Sequence, residues 1–472
     1  MMRAQKITAA ILLLALALGG CATSRVPDLE RLYPAQARTG DRVPVIVIPG
    51  MLGSRLVHRD TGVEAWPVNS RKLLTSGYPE LAFKIDPVTL EPLDDGLVPG
   101  GLFDSAFGRD FYSRIVKALQ ESGGYRLAQP GQHATRGEAL MYILTYDWRQ
   151  DMVASVRKLD ALIEQIRSDY ADPDLRVDIV AHSMGGLIVR YYERYGTEDV
   201  LGGDYFPVTG AGARKLHRLV LIGTPNEGTA FAVYSFLNGY QVALSRLPTE
   251  GVVTMPAMYQ FFPHPHVNWI TDTHGVPLKV DLFDVATWRL FGWSVFDPTV
   301  QRRIADEPGA WAPLDVLERY FEKRLKRSQR FAWSMDAPAG DVELVEALQF
   351  GGNCVPTLAR LVLEQVDHKF AARLTPEQIL HPVPGIDYDK LMYEPGDGRI
   401  TKSSLFGPQE MNATTRRNTY ASREFGRAFF FCGLHDVLTG NVQFIDNLLH
   451  YLLSADPPAT ADPEPAAADC ST

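Results

Sequence analysis

The stretch "LRVDIVAHSMGGLIVRYYERY", residues 175–195, constrains the fold more tightly than any other part of the chain. A β-branched run ends in a knot of small residues, and helical periodicity begins at once. A strand that turns into a helix with no loop between them needs small residues two before and two after the pivot. Ala181 and Gly185 hold those places around Ser183. Similar apolar runs, each ending in a polar or glycine-bearing loop, recur in "RVPVIVIPGMLGSRL", "ALMYILTYDWRQ", "LHRLVLIGTPNEGT" and "GRAFFFCGLHD". Uninterrupted runs of this kind are strands buried on both faces. Their alternation with helical stretches such as "DMVASVRKLDALIEQIRSDY" predicts an α/β fold with a mainly parallel sheet, whose chemistry collects at the carboxyl ends of the strands.

The rhythm breaks between residues 230 and 386, a long aromatic-rich segment read as a cap insertion over the sheet. The core is therefore expected in two parts, 41–229, with a lid loop at about 62–105, and 387–454. Residues 455–472 are rich in proline and alanine and predict a disordered tail. At the other end, Arg3 and Lys6 precede an apolar run and then "LGGC", so residues 1–20 read as a signal peptide. This cleavage region resembles the lipobox of bacterial lipoproteins, in which Cys21 is acylated and residues 21–40 form a tether. A plain signal peptide cut near Ala22 is the alternative. With Ala22 after the cysteine, the expected address is the outer membrane of a bacterial envelope, facing the periplasm. The formal charge of −9 and the lack of a long basic run exclude an extended nucleic-acid surface. An exported protein can form a Cys354–Cys432 disulfide, although free buried cysteines, which are common, are the expected reading. The "HPH" at 264–266 reads as a turn beside prolines rather than a ligand pair, and neither metal nor cofactor is expected.

A serine hydroxyl attacks an ester only when a base takes its proton and fixed donors hold the oxyanion. Ser183 occupies the elbow that exposes such a nucleophile. His435 follows the last apolar strand and precedes the closing helix, so it is the expected base. His182 is expected to shape the elbow, and His450 lies on the closing helix. Asp397, between glycines in "YEPGDGRI" after what reads as the penultimate strand, is the expected acid; Asp387 and Asp389 are weaker rivals. The oxyanion donors are expected to be the backbone N–H groups of Met184 and of Met51 in "IPGMLGS", with Leu52 as the substitute.

Together "VIVIPGMLGSRL", "YDWR", "AHSMGG", "GTPNEG", "MYQFFP", "GDG" and "LHDVLTGN" resemble, in order, the lecithin:cholesterol acyltransferase family, which includes phospholipid:diacylglycerol acyltransferases and lysosomal phospholipase A2. The resemblance implies an α/β-hydrolase fold with a large cap, and it places the family's serine, aspartate and histidine on Ser183, Asp397 and His435. It implies acyl transfer from a glycerophospholipid through an acyl-serine, to water or to an alcohol. The loop "EAWPVNSRKLL" makes Trp66 a candidate acyl-chain contact beside Leu52, with a structural role for the tryptophan equally open. The chain departs from the family at Ala181 and at "GDGRI", where "GDGTV" is usual, and it lacks the close cysteine pair of the animal lid. A carboxylesterase for small esters and a non-catalytic lipid-binding lipoprotein are the competing readings.

Overall fold

Period-two alternation in the strands decides which helices cover which face of the sheet. The computed structural model describes residues 27–33, 42–67, 78–106, 109–242, 245–307, 309–407, 409–412, 417–420 and 425–454. The signal peptide, Cys21, residues 68–77 of the expected lid loop and the tail from 455 lie outside the described residues. Seven strands form the central sheet: β1 Val45–Ile48, β2 Arg126–Leu127, β3 Leu140–Ile143, β4 Val177–His182, β5 Leu216–Ile222, β6 Ala347–Gly352 and β7 Phe425–Phe431. Their order is β7-β6-β5-β4-β1-β3-β2, and every adjacent pair is parallel. With helices on both faces this is the α/β-hydrolase fold.

Val45, Val47, Val180 and Val220 face one way, where they pack with Ile115 and Leu119 of α1 (Ser113–Glu121) and with Phe444, Leu448 and Leu449 of α5 (Val442–Leu453). Ile46, Ile48, Ile179 and Leu221 face the other way. They meet α2 (Met152–Asp169) and α3 (Met184–Tyr195). The α2 helix starts where the Asp151 side chain accepts from the Val153 N–H, and its buried Val156, Leu159, Ile163 and Ile166 recur at helical spacing. Every residue of α3 is buried, because the cap covers the face that a surface helix would give to water.

The cap does not run unbroken from 230 to 386. Ala347–Gly352, inside that span, pairs with both β5 and β7 and belongs to the core sheet. The strand before Asp397, Tyr393–Gly396, instead pairs antiparallel with Val355–Leu358 outside the sheet. The core thus resumes at β6, a strand whose glutamine and two glycines hide it from an apolar-run reading. Cap aromatics pack on one another: Phe236 and Trp288, both buried, each contact the buried rings of Phe262 and Phe321, with α4 (Leu314–Asp336) supplying Phe321. The expected tether also carries structure, since Leu29–Leu32 form a helical turn and the buried Tyr33 donates to the main-chain oxygen of Asp446 on α5 (2.9 Å). No helix among the described residues is long and apolar enough to cross a membrane.

Cys354 and Cys432 are joined by a disulfide, with Cα atoms 5.2 Å apart and a sequence separation of 78. It ties the segment after β6 to the end of β7. Closing so long a loop restricts the unfolded chain, so the Cys354→Ala/Cys432→Ala variant is expected to lose about 2–5 kcal/mol of stability. Urea unfolding of oxidised wild type beside the double variant measures this; coincident midpoints would rule out a stabilising bridge.

Candidate active site

Ser183 stands at φ 53°, ψ −118°, between the last residue of β4 and the first of α3. That backbone region is costly for a residue with a Cβ, and it persists only where neighbours impose it. Here the Ser183 N–H donates to the Ile222 carbonyl at 2.7 Å, and its carbonyl accepts from the Gly186 N–H at 2.9 Å. The close approach also explains Gly185, where a Cβ would lie 2.7 Å from the Ile48 carbonyl oxygen. Ala181, two residues before the pivot, is fully buried in β4, so its methyl group is accommodated.

The structure brings Ser183, His435 and Asp397 together. Ser183 Oγ lies 2.9 Å from His435 Nε2, and His435 Nδ1 lies 2.8 Å from Asp397 Oδ2. The other carboxylate oxygen of Asp397 accepts from the N–H groups of Arg399 (2.9 Å) and Ile400 (2.7 Å). Burial pushes the Asp397 carboxyl up, but the His435 ring and the two N–H donors outweigh it and hold it below the usual carboxylate range. An ionised Asp397 accepts a hydrogen bond from the Nδ1–H of His435 and so holds the proton on that nitrogen, which leaves Nε2 free to accept from the serine hydroxyl. Asp397 reaches this position across β6, where a Cβ on Gly352 would lie 2.7 Å from its own Cβ. Asp387 caps the helix Tyr388–Met392, Asp436 lies 3.5 Å from Arg399, and His450 is exposed on α5, so none of the three takes the place of Asp397 or His435.

His182 has a larger part than shaping the elbow. The Gly50 N–H donates to the Tyr112 hydroxyl (2.8 Å), and that hydroxyl donates to His182 Nδ1 (2.8 Å). His182 Nε2–H then donates to the His435 carbonyl (3.1 Å), an assignment fixed because a carbonyl can only accept. Burial, with His435 alongside, pushes the His182 imidazole down to about 3, so the ring is neutral. The relay links the loop after β1 to the loop that carries His435. Tyr112 has no local signature in the sequence; the partners of its hydroxyl come from two distant segments.

Met51 and Leu52 sit in a turn closed by the Gly53 N–H to the Gly50 carbonyl (3.0 Å), and Met184 is the first residue of α3. Met51, Leu52 and Trp66 line the same cavity as Ser183 and His435, a space of about 510 Å³. Its walls are mainly apolar, with Phe103, Phe111, Phe231, Val242, Met258 and Phe261. Trp66 is buried and its Nε1–H donates to the Leu52 carbonyl at 2.8 Å, so it braces the turn while lining the cavity. The arrangement can activate a hydroxyl beside a space able to desolvate an apolar chain.

A family model described as lecithin:cholesterol acyltransferase matches residues 113–283, a segment that holds Ser183 and the first part of the cap. Among solved structures, a chain of the "Tle4-Tli4 complex" is similar with a TM-score of 0.54 at 13% identity, over 88% of this chain and 98% of that one. The Bacillus licheniformis lipase BlEst2 in mature form gives 0.35 at 10% identity, over 88% and 94%. EstA from Clostridium botulinum gives 0.34 at 11% identity, over 88% and 87%. At such identities the first of these is a likeness of fold. No curated protein sequence matches the chain. Over residues 113–283, from α1 through the nucleophile elbow into the cap, the chain is similar to the lecithin:cholesterol acyltransferase family.

Proposed function

We propose that this protein is a serine lipid esterase that takes an acyl group from a glycerophospholipid and passes it to water or to an alcohol. The family and the fold support a lipid-ester hydrolase or acyltransferase, and the observation that carries the finer reading is an apolar cavity containing Ser183 and His435. In this mechanism Ser183 Oγ attacks the ester carbonyl as His435 Nε2 takes its proton. The oxyanion is held by the N–H groups of Met51 and Met184. The imidazolium, stabilised by Asp397, returns the proton to the departing glycerol oxygen and leaves an acyl-serine. Water or an alcohol then attacks the acyl carbon as it gives its proton to His435; the bond to Ser183 Oγ breaks, His435 returns the proton to that oxygen, and the fatty acid or new ester leaves. Leu52 and Trp66 contact the acyl chain. Acylated Cys21 would keep the enzyme on the envelope membrane, an anchor supported by the sequence pattern "LGGC".

Arg399 favours a phospholipid over a neutral ester. Its guanidinium lines the cavity, stacked over Phe231 (4.6 Å) and Tyr240 (5.4 Å), and its Nη1 is buried without a hydrogen-bond partner among the described residues. A cation so placed suits a substrate phosphate. Arg399→Gln is expected to raise KM for phosphatidylglycerol by about 10-fold or more, the scale of one charge-assisted hydrogen bond, and to leave KM for a nitrophenyl ester nearly unchanged. An equal effect on both substrates would defeat the phosphate assignment.

The reaction itself is tested by incubating the protein with mixed phospholipids, with and without an alcohol acceptor such as diacylglycerol, and identifying the products by lipidomics. Free fatty acid alone marks hydrolysis, and a new ester marks transfer. Activity confined to nitrophenyl acetate would replace the lipid reading with a small-ester carboxylesterase.

A further inference from the structure

A second cluster of ionisable side chains joins the loop after β5 to the cap. Glu227 lies on that loop, His264 and His266 lie on the turn after the short helix Pro256–Tyr259, and Asp336 ends α4. A donor atom from each of Glu227, His264 and His266 falls within 4.8 Å of the other two. His266 Nε2 touches Glu227 Oε2. His264 Nδ1 lies 2.8 Å and His266 Nδ1 3.6 Å from Asp336 Oδ2. The His264 N–H also donates to the Glu227 carbonyl at 3.1 Å, so the backbone already presents the turn to the loop.

An ion-pair cluster would account for those contacts but not for two oxygens. The Glu227 side chain is 9% exposed, and its Oε1 is buried with no hydrogen-bond partner among the described residues. The same holds for Asp336 Oδ1. Buried carboxylate oxygens without donors are costly, and a cation between the side chains would satisfy the Glu227 oxygen. The charges agree: two carboxylates against the nearby Arg190 leave one negative charge when both imidazoles are neutral.

We propose that Glu227, His264 and His266 bind a divalent transition-metal ion, with Asp336 orienting the histidines. Two imidazoles and a carboxylate are a zinc donor set. Calcium and magnesium, which take oxygen donors, do not suit it. A carboxylate accepting from the second ring nitrogen is the usual companion of a metal-bound histidine, and Asp336 is placed to be one. The half-exposed His266 gives the ion a way in from solvent. The ion would fasten the cap turn to the loop whose Thr229 lines the cavity and donates to the Arg399 carbonyl at 2.7 Å.

The test uses the purified full chain and needs no substrate. After incubation with zinc and desalting, mass-spectrometric metal analysis is expected to find one zinc per chain. A chelator is expected to lower the Tm by about 5 °C or more, and added zinc to restore it. His266→Gln, at the most exposed ligand, is expected to keep its circular dichroism spectrum and to lose both the zinc and the response to chelator. Glu227→Gln provides the same comparison if His266→Gln does not fold. No retained zinc together with a Tm indifferent to zinc and chelator would overturn the site, as would full zinc content in a folded variant.

Discussion

Ser183→Ala is expected to lower ester turnover by about four to six orders of magnitude, the scale seen when a nucleophile is removed from an assembled triad. Its Tm is expected to stay within a few degrees of wild type. The strained backbone at residue 183 is held by the bond from its N–H to Ile222 and by the start of α3, and neither depends on the hydroxyl. The cavity walls, His435 and Asp397 are untouched, so the loss falls on the chemical step rather than on binding. A fluorophosphonate probe gives an independent readout, since it labels an activated serine whatever the natural ester. Wild type labels and Ser183→Ala does not. Turnover reduced less than tenfold, or undiminished labelling of the variant, would remove Ser183 from the mechanism. An unlabelled wild type would instead favour the non-catalytic lipoprotein.

The parts of this site that could be read from sequence are those whose signal is local. Ser183 announces itself through the small residues on either side of a strand–helix junction, and His435 through its place between an apolar run and the last helix. Asp397 was reachable by its glycine-flanked turn, although the strand before it lies outside the central sheet. The true penultimate strand, β6, was hidden because a short strand carrying Gln349, Gly351 and Gly352 has no apolar run to detect. The sequence offers Cys354–Cys432 only as one possible pair, because nothing local says that the two cysteines meet. Tyr112, and the approach of Glu227 to the HPH turn at 264–266, escape for the same reason: each depends on chain segments that only tertiary packing makes neighbours. Nothing local in residues 21–40 signals that Tyr33 finds a partner on α5.

Asp397→Asn is expected to lower kcat by about 10⁴-fold, because the substitution reverses a tautomer rather than deleting a side chain. Oδ1 of Asp397 accepts from two backbone N–H groups, so the amide oxygen of asparagine takes that place and its NH₂ group faces His435 Nδ1. Two donors cannot share that contact, and His435 must carry its proton on Nε2, where it can no longer accept from Ser183. KM should change little, since Asp397 does not line the cavity. Stability supplies a second test with a defined sign. The folded carboxyl of Asp397 is held below its unfolded value, so the unfolded chain binds the proton more readily. The contribution of the ionised carboxylate is therefore complete above the ordinary carboxylate range and declines as pH falls through the depressed folded value. The gap in unfolding free energy between wild type and Asp397→Asn should accordingly be wide at neutral pH and begin to narrow below about pH 4. Urea unfolding at a series of pH values measures it. A gap that stayed constant through that window would mean that the carboxylate is not ionised against His435, and the imidazolium formed when Ser183 gives up its proton would then lack its counter-charge.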